Sequence, residues 1–174
     1  MEEMQQLKAR IREIPDWPKK GILFYDVTTL LKHPATFHRA VDALVQPFRS
    51  QTVDLVVGIE ARGFIFAPTV AYTLWAGFVP VRKPGKLPAP SLKVAYQLEY
   101  GTDTLEIHRD AIEPGQRVLV VDDLIATGGT AAAVAEMIDK MGGKVLGFAF
   151  LVELLFLKGR EKLAGHNVVS ILQY

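Results

Sequence analysis

The chain contains no cysteine, and this absence excludes a disulfide framework, a thiolate metal site and a cysteine nucleophile. Serines are few and none lies in a GxSxG motif, and the histidines lack HExxH spacing, so neither serine-hydrolase nor zinc-protease chemistry is indicated. Walker A and GxGxxG motifs are also missing, which argues against a P-loop NTPase and a Rossmann dinucleotide site. The formal net charge of +1 is too small to predict a nucleic-acid partner.

One uncharged stretch, residues 63–81, approaches the length of a membrane span. Pro68, Gly77 and Pro80 interrupt it and leave an apolar helix over about 64–75, which is the length of a buried core helix. The N-terminal segment is charged and amphipathic, and it lacks the apolar core of a signal peptide. We therefore expect a cytoplasmic protein that does not associate with a membrane.

Composition and periodicity predict one α/β domain over residues 1–174. The chain is 49% hydrophobic and 22% charged, and it is long enough to bury a core. We expect helices over residues 2–14, 34–48, 63–75, 130–141 and 157–164, and strands over residues 22–24, 53–59, 78–82, 118–121, 145–152 and 168–173. A proline- and lysine-rich loop over 83–93 precedes a predicted hairpin of residues 94–100 and 103–109. Strands that alternate with helices predict a parallel sheet flanked by helices, with ligands at the carboxyl ends of its strands.

The segment VLVVDDLIATGGT, residues 118–130, carries the strongest chemical signal. An apolar strand is predicted to end in Asp122 and Asp123, and the Thr-Gly-Gly-Thr run then opens a helix. Glycines let a ligand approach the backbone closely, and the free N–H groups of a helix N-terminus favour phosphate. The carboxylates lie where sugar hydroxyls or hydrated Mg²⁺ would meet them. The alternative is a strand–turn–helix connection in which the glycines only allow the turn and the aspartates only cap the helix. The combination of a buried strand, two aspartates and Thr-Gly-Gly-Thr favours a phosphate site.

Together with that segment, several motifs in matching order resemble the type I phosphoribosyltransferases over almost the whole chain. The matching stretches are GILFYDVTTLLKHP, VVGIEARGFIFAP, VRKPGKLPAP, YQLEYGTDTLEIHRDAIEPGQRVLVVDDLIATGGT and LKGREKL. Ala126 stands where members that use 6-oxopurines typically carry an aspartate, so the chain is most similar to the members that use adenine. The resemblance implies a parallel sheet flanked by helices, a small hood from the N-terminal segment and a mobile lid formed by a loop or hairpin.

The activity that the resemblance implies is transfer of phosphoribosyl from phosphoribosyl pyrophosphate (PRPP) to adenine, which gives AMP and pyrophosphate in purine salvage. Mg²⁺ would be the cofactor, chelated mainly by PRPP, with no metal site formed directly by the protein. A homodimer is also implied. Two alternatives stay open: a phosphoribosyltransferase for another purine base, and a non-catalytic regulator that senses PRPP or purines.

The resemblance also assigns roles to residues around the phosphate segment. Asp122 and Asp123 would bind the ribose, and the 5′-phosphate would be bound by Ala126, Thr127, Gly128, Gly129 and Thr130. The pyrophosphate would be bound by Glu60, Ala61, Arg62, Arg82, Lys83 and Lys86. Arg62 is also a catalytic candidate, and a cis peptide bond is expected between Glu60 and Ala61.

Adenine would be bound by Leu23, Phe24 and Tyr25, with Phe24 stacking on the base, although many relatives have arginine where Tyr25 stands. Glu99 and Tyr100 would lie on the lid, with Glu99 as the catalytic group for proton exchange. The residues alone leave other interpretations open. Arg62 fits a helix-start ion pair, residues 82–86 fit a solvated basic loop, Phe24 fits a core aromatic and Glu99 fits a surface carboxylate.

Overall fold

Five parallel strands form the central sheet in a computed structural model that describes residues 2–97 and 101–174. The strands of the chain are β1 Arg12–Pro15, β2 Leu23–Asp26, β3 Leu55–Ile59, β4 Gly77–Val81, β5 Ser91–Gln97, β6 Thr102–His108, β7 Arg117–Ile125, β8 Lys144–Glu153 and β9 Val168–Gln173. The helices are α1 Glu2–Lys8, α2 Thr28–Leu31, α3 Pro34–Val45, α4 Gly63–Leu74 and α5 Gly129–Lys140. The strand order in the sheet is β4-β3-β7-β8-β9, which confirms the predicted α/β class.

The sheet is buried on both faces by the helices and the β5–β6 hairpin, and its central strands are accordingly rich in apolar β-branched residues. Alternate residues of β7 point to opposite faces: Leu119 and Val121 pack with α3 and α4, whereas Val118 and Val120 pack with α5 and the β5–β6 hairpin. All four side chains are fully buried. Two apolar layers of this kind fix the sheet register, so the residues that follow each strand are held at one edge.

The uncharged stretch 63–81 folds as predicted into a core helix and a strand. Helix α4 buries Phe66, Ala67 and Val70 against the sheet and ends at Leu74. The next residue, Trp75, has a left-handed φ of 56° and turns the chain into β4. Among the residues that the structure describes, no helix is long and apolar enough to cross a bilayer.

The predicted helix over residues 2–14 is wrong beyond residue 8. Helix α1 ends at Lys8, and β1 pairs antiparallel with β2, so that Ile14 lies opposite Phe24. Leu7 and Ile11 are buried as their spacing indicated, but antiparallel pairing with β2 overrides the helical periodicity of the residues that follow. The β1–β2 ribbon and α1 form the small N-terminal hood.

Other boundaries differ from the predictions where tertiary contacts decide them. Strand β7 continues through both carboxylates to Ile125, because its last residues pair with β8. Strand β5 begins at Ser91, inside the predicted loop, and pairs with β6 as the predicted hairpin. Helix α3 gives way at Gln46 to a 3₁₀ turn, and the short helix α2 was not predicted.

The segment predicted as a helix over 157–164 consists instead of two 3₁₀ turns, Leu155–Leu157 and Gly159–Leu163. Lys158 separates them with a left-handed φ of 50°, which no continuous α-helix allows. This short segment lies next to the loop that precedes α5.

Candidate functional site

A cavity of about 300 Å³ opens at the carboxyl ends of β3 and β7, where the fold class predicts a ligand site. The predicted site residues that line it are Glu60, Ala61, Arg62, Lys83, Asp122, Asp123, Ala126, Thr127, Gly128 and Thr130. Gly129 is the first residue of α5, directly beside them. Segments separated by about sixty residues in the sequence therefore meet in one cleft.

The loop 126–128 and the start of α5 form the predicted phosphate-binding element. Gly128 caps the helix with a left-handed φ of 75°, a conformation that favours glycine, and its carbonyl accepts a hydrogen bond of 3.0 Å from the N–H of Ala132. The first-turn N–H groups of a helix have no partner within the helix, and no acidic residue lies in that turn of α5. This element consequently presents backbone donors and the positive end of the helix dipole to the cavity.

The two aspartates lie within β7 rather than at its end. Asp123 is 4% exposed, and its carboxylate accepts a hydrogen bond from the Nε of Arg62. The Oδ1 of Asp122 accepts a hydrogen bond of 2.9 Å from the backbone N–H of Asp123. Burial, and then the nearby charge of Asp123, raise the pKa of Asp122 well above its usual value. The pair therefore combines a carboxylate neutralised by arginine with a carboxyl group that holds its proton more tightly.

Arg62 lines the cavity and connects it to the hood, whose residues Leu23, Phe24 and Tyr25 do not line it. Besides its ion pair with Asp123, its guanidinium carbon lies 5.4 Å from the centre of the Phe24 ring, which belongs to the hood. An arginine over an aromatic face gains a cation–π interaction. Arg62 therefore forms the ion pair at the start of the helix, and its guanidinium is still partly exposed to the cavity, where it can bind an anion.

Glu60 is the centre of the basic segment 82–86, of which Lys83 lines the cavity whereas Arg82 and Lys86 do not. Its carboxylate accepts hydrogen bonds from the Nζ of Lys86 at 2.6 Å, from the guanidinium of Arg82 at 3.2 Å and from the backbone N–H of Lys83 at 2.9 Å. The hydrogen bond from Lys86 is the main cause that lowers the pKa of Glu60 to about 2. The peptide bond between Glu60 and Ala61 is cis, as expected from the resemblance. Glu60 therefore gathers the cations around it.

Lys83 connects this basic segment to the β5–β6 hairpin. Its Nζ forms an ion pair with Asp103 and lies 3.4 Å from the hydroxyl of Tyr96, which donates to Asp103 at 3.2 Å. Tyr96 and Asp103 were not predicted as site residues. They lie directly opposite each other in the β5–β6 hairpin, so predicting the register of that hairpin would have paired them. No pattern in the neighbouring sequence connects either residue to Lys83.

The residues predicted to bind the base lie on β2, in the hood. Phe24 is partly exposed and packs edge-on against Trp17, with ring centres 4.3 Å apart. The Tyr25 side chain is buried against Tyr174, with ring centres 4.1 Å apart, and burial raises its pKa. Tyr25 is therefore a packing residue of the hood. The lid candidates Glu99 and Tyr100 lie outside the described residues.

The carboxylates of the cleft suit Mg²⁺ that arrives with a phosphorylated ligand. In the described part of the chain, no group of three or more histidine, aspartate or glutamate side chains is arranged to hold a metal. Asp122 and Asp123 nevertheless line the cavity, and Mg²⁺ is commonly bound through one or two carboxylates together with water and substrate phosphates. The donor set thus fits a hydrated ion held mainly by its ligand.

The chain is similar to known proteins over nearly its whole length. The family model described as phosphoribosyl transferase domain matches residues 26–169. A protein of Solibacter usitatus named adenine phosphoribosyltransferase is 63% identical over 171 residues, covering 98% of this chain and 99% of that protein. A protein of the same name from Picosynechococcus is 59% identical over 170 residues, covering 97% of this chain and 99% of that protein.

Solved structures show the same similarity. The crystal structure of adenine phosphoribosyltransferase from Rhodothermus marinus has a TM-score of 0.96 and 53% identity, and 99% of each chain is covered. The Saccharomyces cerevisiae enzyme, solved with an imino-altritol bisphosphate and adenine, has a TM-score of 0.92 and 43% identity. That comparison covers 98% of this chain and 99% of the yeast chain.

Proposed function

This chain belongs to the phosphoribosyltransferase family, among the adenine phosphoribosyltransferases, and from that membership we propose how its cleft transfers phosphoribosyl from PRPP to adenine, giving AMP and pyrophosphate. The observation that carries the proposal is the meeting of three elements around one cavity: the backbone loop before α5, the aspartates of β7 and Arg62. Ala126 stands in that loop and has no side chain that transfers a proton, which fits adenine as the base. The whole chain acts as one domain.

The 5′-phosphate binds to the loop and helix start. Ala126, Thr127, Gly128, Gly129 and Thr130 supply backbone N–H groups and two hydroxyl donors, and the dipole of α5 favours the negative charge. Because these donors belong to a capped helix, they are oriented before the ligand arrives. Asp122 and Asp123 then face the ribose hydroxyls, and bound Mg²⁺ would offset charge on the pyrophosphate group.

The pyrophosphate binds on the opposite side, at Ala61 and at the cations Arg62, Arg82, Lys83 and Lys86. In the reaction, the bond from C1′ to the pyrophosphate oxygen breaks with its electron pair on pyrophosphate. N9 of adenine bonds to C1′ and gives up its proton, for which Glu99 is the proposed acceptor. Negative charge grows on the leaving group, and positioned cations stabilise it. Glu60 acts indirectly, since its carboxylate keeps Arg82, Lys86 and the N–H of Lys83 together.

Adenine binds beside β2, where Phe24 offers an aromatic face and Leu23 and Tyr25 offer main-chain groups. Stacking of a base on an aromatic ring is worth about 1–3 kcal/mol. The buried side chain of Tyr25 leaves base contacts to the backbone at this position. Arg62 lies against the same ring, so the base site and the pyrophosphate site adjoin.

Glu99 is proposed to exchange a proton with the purine, and Glu99 and Tyr100 to form a mobile lid between β5 and β6. We expect Glu99→Ala to lower kcat/KM for adenine by about 10²- to 10⁴-fold, the range of general acid–base catalysis. Steady-state kinetics at saturating PRPP would measure this. An unchanged kcat/KM would remove Glu99 from the mechanism.

A cytoplasmic homodimer is the proposed state of the enzyme. Tyr72 and Trp75 support self-association, since they are 87% and 97% exposed at the end of α4. Large exposed aromatic side chains are common at protein interfaces. A cytoplasmic location suits charged substrates such as PRPP.

Turnover with Mg²⁺ and PRPP tests the proposed function, with adenine, hypoxanthine, guanine and xanthine offered separately. We expect nucleotide from adenine alone. Product from a 6-oxopurine would keep the phosphate site but overturn the assignment of the base. PRPP binding without product from any base would instead identify a regulator.

A further inference from the structure

The motif LKGREKL, residues 157–163, has no role in the proposed reaction, although it is one of the stretches that resemble the phosphoribosyltransferases. It contains Gly159 and Arg160, which open the second of the two 3₁₀ turns. This segment touches the loop 126–128 but does not line the cavity, so it is placed to act on the 5′-phosphate site without touching a ligand.

Gly159 and the phosphate loop are in backbone-to-backbone contact. A Cβ added at Gly159 would overlap the carbonyl oxygen of Ala126 and lie 2.9 Å from the backbone nitrogen of Gly128. Conversely, a Cβ added at Gly128 would overlap the carbonyl oxygen of Gly159. Neither obstruction is a flexible side chain, so the loop cannot keep its conformation if either glycine gains a side chain. The two glycines are a matched pair 31 residues apart in the sequence.

Arg160 fixes the position of Gly159 relative to the sheet. Its guanidinium donates two hydrogen bonds to the carboxylate of Glu153, at 2.9 and 2.6 Å, and further ones to the carbonyl of Val168 at 2.6 Å and to the hydroxyl of Ser170 at 3.0 Å. Glu153 is 3% exposed and is the last residue of β8. Paired, bidentate contacts of this kind define both distance and orientation.

The same carboxylate lies next to the start of the phosphate loop. Glu153 is the register partner of Ile125, the residue directly before Ala126, and the N–H of Leu154 donates to the carbonyl of Ile125 at 3.1 Å. The loop is thus held at its beginning by β8 and at its turn by Gly159, and Arg160 connects the two supports.

We propose that Gly159 and Arg160 are positioning residues for the 5′-phosphate: Gly159 is the surface against which residues 126–128 rest, and the Arg160–Glu153 pair sets where that surface lies. This inference rests on the proposed function, in which residues 126–130 bind the 5′-phosphate. The contact affects one subsite of the cleft, because the pyrophosphate cations belong to other segments.

Gly159→Ala tests the contact, with Gly165→Ala as the matched control. Gly165 lies in the same connection, and a Cβ added there meets nothing within 4 Å. Its left-handed φ of 89° strains alanine, so this control carries backbone strain without the clash. We expect Gly159→Ala to raise KM for PRPP and weaken AMP binding by about 10- to 100-fold, the usual cost of displacing a binding group by about 1 Å. KM for adenine and the affinity for Mg-pyrophosphate, which has no 5′-phosphate, should stay within about twofold of the control.

Arg160→Lys and Arg160→Ala test the support. Arg160→Ala should raise KM for PRPP, and Arg160→Lys should restore part of the loss, because lysine keeps the charge beside Glu153 but not the two-pronged contact. Lys162→Ala, at an exposed position of the same turn, is the control. Thermal unfolding of each variant shows which proteins are folded, and the lysine variant keeps the test valid if the alanine variant unfolds.

Two outcomes would overturn the inference. One is a Gly159→Ala protein whose KM for PRPP matches that of Gly165→Ala. The other is an equal loss of AMP and Mg-pyrophosphate binding, which would mean a general structural role. Failure of the proposed function is distinct, since the unmodified protein would then fail to bind or turn over PRPP in the same assays.

Discussion

The two ends of the cleft are built to bind anions by different means. At the phosphate loop, the donors are backbone N–H groups at the start of α5, held by packing of Gly128 on Gly159. At the basic end, the donors are long side chains that already have carboxylate partners, Glu60 and Asp103. The first end is oriented in advance, whereas at the second end a ligand has to compete with internal ion pairs. A phosphate that stays bound through the reaction is thus held by fixed backbone donors, whereas a pyrophosphate that leaves is held by side chains that have other partners.

The largest effect is expected at the rigid end. Gly128→Ala places a Cβ against the backbone of Gly159 and strains a left-handed φ of 75°, so we expect kcat/KM for PRPP to fall by about 100-fold or more. Gly115→Ala is the control, because its φ of 87° imposes similar strain while a Cβ there meets nothing within 4 Å. Equal activity in the two variants would show that the contact with Gly159 is unimportant.

A smaller effect is expected at the basic end. Arg82→Ala removes one of several cations, so we expect the affinity for Mg-pyrophosphate to fall by about tenfold while AMP binding is retained. Titration calorimetry measures both ligands on the same protein. Lys144→Ala, an exposed cation at the other end of the sheet, serves as the control. Loss of AMP binding in Arg82→Ala would remove the distinction between the two ends.

The contribution of Glu60 to the stability of the basic end is expected to depend on pH. The folded protein lowers the pKa of Glu60 from 4.5 to about 2, so the stability that its ion pairs contribute is present above pH 4.5 and is lost as the pH falls towards 2. We expect the melting temperature of Glu60→Gln to fall less steeply over this range than that of the unmodified protein.

Asp54→Asn is the matched control for the Glu60 variant. The pKa of Asp54 is also lowered to about 2, by its hydrogen bonds with Arg117, but the residue lies before β3, away from the cleft. The Asp54→Asn variant should change the acid dependence of stability and leave Mg-pyrophosphate binding unaltered. A Glu60→Gln protein with an unchanged acid profile would contradict the role of Glu60 as the centre of the basic segment.

The smallest effect is expected at Lys83. Asp103→Asn weakens the internal competitor of the ligand, so we expect Mg-pyrophosphate to bind more tightly, by less than about fivefold, because partly exposed ion pairs are individually weak. Thr102→Ala, an exposed position on the same strand, is the control. Weaker binding would show that Asp103 orients Lys83 for the ligand and does not compete with it.

The sequence predicted the parts of the molecule that local chemistry decides. The apolar runs of β3, β7 and β8 and the Thr-Gly-Gly-Thr helix start depend on neighbouring residues, and the structure places them as expected. The strand at Arg12–Pro15 was missed because it forms only by pairing with β2. Two contacts could not be predicted because the whole fold brings their segments together: the ion pair of Lys83 with Asp103 and the contact of Gly159 with Gly128. No pattern among neighbouring residues indicates either contact.

Binding of AMP and Mg-pyrophosphate to Gly128→Ala and Arg82→Ala tests whether the cleft has two separate anion sites. We predict a crossed result: Gly128→Ala loses affinity for AMP and keeps it for Mg-pyrophosphate, whereas Arg82→Ala does the reverse. If both variants lose both ligands to the same extent, the cleft does not have two separate anion sites.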